Sequence, residues 1–233
     1  MTEKVVFTDE LDVQVWNVWG TDKNVPDTAR VSSRAFEDFD MATVDSDAPL
    51  DERDAGLIDM LASNGHTSPF EHMGASFRLH VPIFVMREWM RHRTQSYNEE
   101  SGRWKVLAPR FYLPSVDRPV AQVGRTGEYS FLPDDLKANI ARRSIRTANE
   151  KAWEEYEWML SEGVAKEVAR MCLPVNIYTS VIVSANFLNW VKFLKLRATP
   201  QAMHEIRQCA FAVQAGLSEH FPASMKAWFG DRG

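Results

Sequence analysis

Cysteine is scarce: the 233 residues include two, Cys172 and Cys209, and no C-x-x-C. Two cannot build a disulfide framework, which points to a reducing, cytoplasmic setting. No apolar run reaches the length a membrane-spanning helix needs. The opening M-T-E-K-V-V-F-T-D-E lacks the pattern of a secretory leader. There is no internal repeat and no low-complexity segment. Neither G-x-G-x-x-G nor G-x-x-x-x-G-K-[ST] occurs, so a nucleotide would have to be held without those loops. The histidines, His66, His72, His80, His92, His204 and His220, form no H-E-x-x-H or other zinc spacing, and no metal site is expected. Positive charge is also in deficit. The formal net charge is −5, which argues against a general binder of nucleic acid or of membrane surfaces.

What is present is ordinary for a globular protein, with 45% hydrophobic and 25% charged residues. The length suits one large domain or two small ones. With no clear linker, we expect one α+β domain over 1–233. The pattern predicts a strand through Val13, Val15, Trp16, Val18 and Trp19 ending at Gly20, and a helix starting near Asp27. An acidic loop should follow at 40–50, then a helix at 51–64 with acidic residues in its first turn and Asn64-Gly65 as its stop. H-T-S-P-F-E-H (66–72) reads as a turn, in which His66 and His72 have a plain stabilising role. Residues 75–81 alternate as a half-buried strand. Pro82 suits the first turn of a helix expected from Ile83 to about Arg93, with Arg87 and Arg91 on one face. Residues 105–133 should be irregular with short strands. Helices are expected at 134–162 and 164–172, a β-branched strand at 175–185, and a helix at 186–197. Thr199-Pro200 should cap a last helix reaching about His220.

The densest chemistry lies in R-H-R-T-Q-S-Y-N-E-E-S-G-R, Arg91 to Arg103. No aliphatic residue interrupts it, and Tyr97 is its one aromatic. It should begin on the last turn of a helix and continue into a loop. From Arg87 to Arg110 there are six Lys/Arg and three Glu, a local charge of +3 inside a negative chain. Arginine forks and backbone N–H groups hold phosphate well. Arg91, Arg93 and Arg103, with Ser101-Gly102, can form such a cradle, while Asn98 and Glu99 can read amide or hydroxyl groups. A solvated helix end carrying surface ion pairs is the plainer account of the same residues. Arg170 and Arg197 lie on otherwise apolar elements, where an arginine often simply snorkels. Cys172, at an apolar helix end before Leu173-Pro174, reads as a small core residue rather than a nucleophile. Ser101 has His92 nearby in sequence but no third orienting group, so binding suits it better than nucleophilic catalysis. Several arginines would also suit RNA, although no RNP-like aromatic pattern accompanies them.

The same residues fill every fixed position of R-H-R-x-x-S-x-N-x-x-S-x-R: Arg91, His92, Arg93, Ser96, Asn98, Ser101 and Arg103. The stretch resembles the motif of the flavin-dependent thymidylate synthases. H-T-S-P-F-E-H, A-R-x-x-L-P-x-N-x-Y-T and the later F-L-x-L-R-A…E-I-R are similar to family segments in the same order. The resemblance covers most of residues 66–207.

That resemblance implies an α+β fold with a central mixed or antiparallel sheet flanked by helices, and a homotetramer with shared active sites. It implies methylation of deoxyuridylate (dUMP) at C5 to thymidylate. Methylenetetrahydrofolate would supply the carbon and FAD reduced by NADPH the hydride, with no cysteine attacking the ring. By position, Ser68, Arg91, His92, Arg93, Glu99 and Asn186 should contact FAD, with Lys192 on the cofactor side. Glu88, Arg91, Glu99, Glu100, Ser101, Gly102, Arg103, Arg170 and Arg197 should hold dUMP. Ser101, Gly102 and Arg103 would lie near its phosphate. Arg197 matches the arginine that polarises the uracil and favours ionisation at N3, as a guanidinium does for charge building on a ring. Three positions depart from the commoner pattern: Leu188 replaces an arginine, Lys192 an asparagine and Gln201 a histidine. The competing expectation, from a different class, is a non-catalytic nucleotide- or RNA-binding module using the same arginines.

Overall fold

The computed structural model describes residues 4–33, 50–125 and 128–230. The acidic loop expected at 40–50 lies outside these residues, apart from Leu50. The chain is α+β, and its contacts divide it into two compact units. One comprises Met1–Glu10, Val81–Arg87 and Glu100–Thr179; the other comprises Leu11–His80, Glu88–Glu99 and Ser180–Gly233. Among the described residues no helix is long and apolar enough to cross a membrane.

In the first unit, β1 (Val6–Thr8) pairs in parallel with β5 (Arg110–Tyr112), and β6 (Ala121–Arg125) forms an antiparallel pair with β7 (Glu128–Leu132). The long helix α4 (Asp135–Ser161) starts where the Asp134 carboxylate accepts from Lys137 N at 2.9 Å, and it ends before Gly163, whose φ is 80°. Its Trp153 and Tyr156 pack with Phe111, Ala169 and Ile177 into the unit's core. The helix expected at 164–172 is shorter. It consists of α5 (Lys166–Ala169) followed by a 3-10 turn, Arg170–Cys172. Leu173 is extended (φ −76°, ψ 131°), as the residue before Pro174 has to be, and that ends the helical stretch. Cys172 is exposed, which corrects its reading as a core residue. Its thiol turns back to Ala169 O at 3.2 Å.

The second unit is built on a four-stranded sheet ordered β2 (Asp12–Trp19), β3 (Gly74–Pro82), β8 (Tyr178–Asn186), β4 (Ser96–Glu99). The β2–β3 and β4–β8 pairs are antiparallel. A register shift between Val15 and Asn17 leaves Trp16 exposed. α1 (Asn24–Arg30) starts three residues before the expected Asp27. α2 (Glu52–Ser63) is capped by Asp51, whose carboxylate accepts from Asp54 N at 2.7 Å, and it stops at Asn64-Gly65 as expected. β3 is more buried than simple alternation predicts. Ser76 faces away from the Phe77–Leu79 side yet is buried, its hydroxyl 2.6 Å from that of Ser184. Pro82 closes β3, and the next helix starts at Ile83, as expected.

α6 (Phe187–Arg197) is capped by Asn186, whose Oδ1 accepts from Asn189 N at 2.9 Å. Its Trp190 donates to Ala75 O at 3.0 Å, and Trp190, Phe193, Phe77 and Trp89 form a linked aromatic cluster. α7 (His204–His220) lies close to the sheet at Gly216, where a Cβ would come within 2.7 Å of Val15. It begins at His204, not at Thr199-Pro200. Thr199 Oγ1 donates to Leu196 O, so this threonine closes α6 instead of capping α7. α8 (Pro222–Phe229) follows, and the buried carboxylate of Asp22 accepts from its Ala223 N at 2.7 Å and Ser224 N at 2.9 Å.

Candidate functional site

The polar motif does not begin on a helix and run into a loop. α3 (Ile83–Trp89) ends at Trp89, so Arg91, His92 and Arg93 lie in a turn, and Arg91 does not share a helix face with Arg87. After the turn, β4 pairs with β8 in the register Ser96↔Ser184, Tyr97↔Val183, Asn98↔Ile182 and Glu99↔Val181. Directly opposed residues share a face. Tyr97 is therefore on the side of the buried Val183, and Ser96 is on the side of the Ser184–Ser76 hydroxyl pair.

In the second unit, Arg197 is the last residue of α6, and its side chain is 17% exposed. Its Nε donates to His92 Nε2 at 3.0 Å, Nη1 to Glu88 Oε2 at 3.1 Å and Nη2 to Glu88 O at 3.2 Å. A guanidinium only donates, so His92 Nε2 accepts and the ring carries its proton on Nδ1. The His92 ring stands edge-on to Phe193, centroids 4.9 Å apart. Burial, and then the Arg197 charge, pull the imidazole down to about 4, against the opposing effect of Glu88. His92 is thus neutral at physiological pH and can orient Arg197 without competing with its charge. Arg91 and Arg93 are exposed, with no ion pair among the described residues. Asn186 and Lys192 lie on the same α6 segment; Lys192 Nζ donates to Asn189 Oδ1 at 3.3 Å. Ser68 opens the 3-10 turn Ser68–Glu71, whose Phe70 stacks on Phe187 of α6.

In the first unit, Ser101 Oγ accepts from Arg103 N at 3.3 Å. Gly102 is buried against Arg170, where a Cβ would meet Arg170 Cδ at 3.2 Å. Arg103 Nε donates to Glu167 Oε2 at 2.9 Å, and its guanidinium lies 5.7 Å from the ring centroid of Trp104, which is 77% exposed. Glu100 pairs with Lys105. The structure thus brings Ser101, Gly102 and Arg103 together with Arg170, an exposed residue. Both partners of the Arg103–Glu167 pair are more than half exposed, so it contributes little to stability and is readily exchanged for another anion. Sequence reasoning passed over Glu167, Gln95 and Tyr97. Glu167 had a readable signal, since it stands three residues before Arg170. Tyr97 had another, as the one ring in a polar stretch.

A family model described as thymidylate synthase complementing protein matches residues 14–223. The flavin-dependent thymidylate synthase of Tropheryma whipplei (strain TW08/27) is 38% identical over 217 residues, 90% of this chain and 88% of that protein. The chain belongs to the flavin-dependent thymidylate synthase family. Within the family, the Thermotoga neapolitana protein is 35% identical over 225 residues, 97% of this chain and 94% of its own. Among solved structures, the UMP/dUMP methylase PolB of Streptomyces cacaoi, bound with 5-Br UMP, superimposes with a TM-score of 0.85. It is 30% identical and covers 97% of this chain and 96% of its own.

Proposed function

We propose that the chain makes thymidylate from deoxyuridylate as a flavin-dependent synthase. The observation that carries this is Arg197, a permanently charged and largely buried guanidinium presented at the end of α6 by neutral His92 and by Glu88 in a member of this family. Such a group stabilises negative charge on a uracil ring as C5 becomes nucleophilic. Two sets of polar groups support the binding of FAD: the exposed Arg91 and Arg93 guanidiniums for its phosphates, and His92, Ser68, Glu99, Asn186 and Lys192 for its remaining polar groups. When bound, FAD supplies hydride taken from NADPH, and methylenetetrahydrofolate supplies the carbon. In the first unit Ser101, Gly102, Arg103 and Arg170 receive the nucleotide phosphate, which displaces Glu167 from Arg103; Glu100 lies beside them. In the second unit, Glu88 and Glu99 are assigned to dUMP.

The cysteines fit a mechanism without a thiolate. Burial pushes Cys209 up to about 12, and burial likewise raises Cys172. The family match runs through residues of both units, which supports one function for the whole of 1–233. A cytoplasmic homotetramer with active sites shared between subunits, using NADPH and binding neither nucleic acid nor membrane, completes the reading.

The purified protein should be yellow and should bleach with NADPH, and tritium should leave C5-labelled dUMP when folate and reductant are present. A colourless protein that takes up no FAD contradicts the assignment and favours the binding module; one that binds FAD but releases no tritium is a degenerate family member without turnover. PolB, named for both UMP and dUMP, supports a second reading in which uridylate is also methylated. Comparing kcat/KM for the two nucleotides decides between them.

A further inference from the structure

Two positions that the motif leaves open, Gln95 and Tyr97, are held here by a specific set of hydrogen bonds. Gln95 is buried, and its Oε1 accepts from the Trp89 indole N–H at 2.9 Å. That donor fixes the amide: turned over, its NH2 would face another N–H. The Tyr97 hydroxyl then has three acceptors within reach, His92 O at 2.9 Å, Trp89 O at 3.1 Å and Gln95 Oε1 at 3.1 Å. One proton serves three oxygens, one at the last residue of α3 and two in the turn that carries Arg91, His92 and Arg93. The turn's own backbone bonds, His92 N to Trp89 O at 3.0 Å and Gln95 N to His92 O at 3.2 Å, close it on itself without attaching it to the sheet. Asn189 Nδ2 of α6 reaches Thr94 O at 3.4 Å, and Tyr97, projecting from β4 on the Val183 side, adds the hydrogen bonds from the sheet. The residue whose carbonyl it holds is the one whose ring receives Arg197 Nε.

We propose that Tyr97 is a positioning residue: its hydroxyl, with Gln95 and Trp89 behind it, fixes the Arg91–Arg93 turn so that His92 meets Arg197 in register. This deepens the synthase reading and rests on it. Without the Tyr97 hydrogen bonds the turn is held less tightly, His92 can drift from Arg197, and displacement of a charge-orienting group by about 1 Å is costly to turnover. The charged groups facing His92 are Arg197 from α6 and Glu88 from α3, and Tyr97→Phe alters neither side chain.

The test is Tyr97→Phe in the full-length, flavin-loaded protein, which keeps the ring and removes the hydroxyl. Turnover should fall by ~10-fold or more while KM for dUMP stays within about twofold. The His92 titration, followed by NMR of labelled imidazole, should move from about 4 toward the ordinary 6.5. A lower melting temperature with turnover and the His92 midpoint unchanged would make Tyr97 a purely structural residue and overturn the proposal. So would no change at all. If Tyr97→Phe does not fold, Gln95→Asn, which withdraws the acceptor by one methylene, is read in the same way. The titration needs no activity. Wild-type protein that binds no FAD and makes no thymidylate would sink the synthase reading, while the His92 midpoint would still decide the role of Tyr97.

Discussion

Arg197 joins three contacts in one fork, two to Glu88 and one to His92, so its charge is oriented as well as placed. Arg197→Ala should lower turnover by ~10²–10³-fold, the scale seen when one charge-stabilising donor is lost. FAD affinity, measured by fluorescence titration, should change far less; equal loss of both would contradict the assigned role. Arg197→Lys replaces a planar fork with a point charge and should rescue little of the turnover. His92 adds a pH signature. Its folded value, about 4, lies below the ordinary 6.5, so its contribution to stability is present above pH 6.5 and is lost as pH falls toward 4. His92→Gln keeps an acceptor for Arg197 and removes the titration. Its melting temperature should therefore decline less steeply than that of the wild type across that range. At this scale, sequence named Arg197, His92 and Glu88 through a resemblance but gave no hint that they touch one another. Glu88 and Arg197 are 109 residues apart, and no local pattern encodes such a contact.

Elements with local signals were legible and those set by distant pairing were not. The acidic first turn and Asn-Gly stop of α2, the Gly163 stop of α4 and the Asn186 start of α6 are short-range chemistry, and all lie where expected. β4 was missed because three of its four residues are polar, and only its register with β8 makes it a strand. The end of α3 was overrun for the same reason, since the residues that stop it belong to the turn and to Tyr97. Thr199-Pro200 satisfies a helix-start rule yet closes the previous helix. Sheet packing also bears on the site. A Cβ on Gly74 would meet Trp19 Cζ2 at 2.4 Å, Ala185 O at 2.5 Å and Asn186 Cα at 2.8 Å. Gly74→Ala should cost ~1–3 kcal/mol by overpacking, read by chemical denaturation. Because Asn186 caps α6 and is assigned to FAD, flavin affinity should weaken in the same variant. Undiminished stability would mean that the strands separate there more readily than their contacts imply.

For the molecule as a whole, the α+β class was readable from composition and pattern, while the division into two compact units was not. Each unit draws on separated stretches of chain, so no linker marks the boundary in sequence. Asp22 shows the same principle in one side chain, reaching residues 201 and 202 positions later to cap α8. Burial raises its carboxyl above 3.8, against the lowering effect of those hydrogen bonds. The folded state therefore holds the proton more tightly than the unfolded one, and the group's contribution is complete below pH 3.8 and is lost as pH rises through the folded value. The melting-temperature advantage of wild type over Asp22→Asn should be larger below pH 3.8 than at neutral pH; the opposite trend would show the hydrogen bonds to outweigh burial. The same contact also sets an order of events during synthesis. At ribosomal rates of about 5–20 residues per second, Asp22 emerges roughly 10–40 s before Ala223 and Ser224 exist. The first unit's last residue, Thr179, is made before α6, α7 and α8. The second unit must keep β2 and β3 waiting for the C-terminal helices, and in that interval a nascent chain is most exposed to aggregation and most in need of a chaperone.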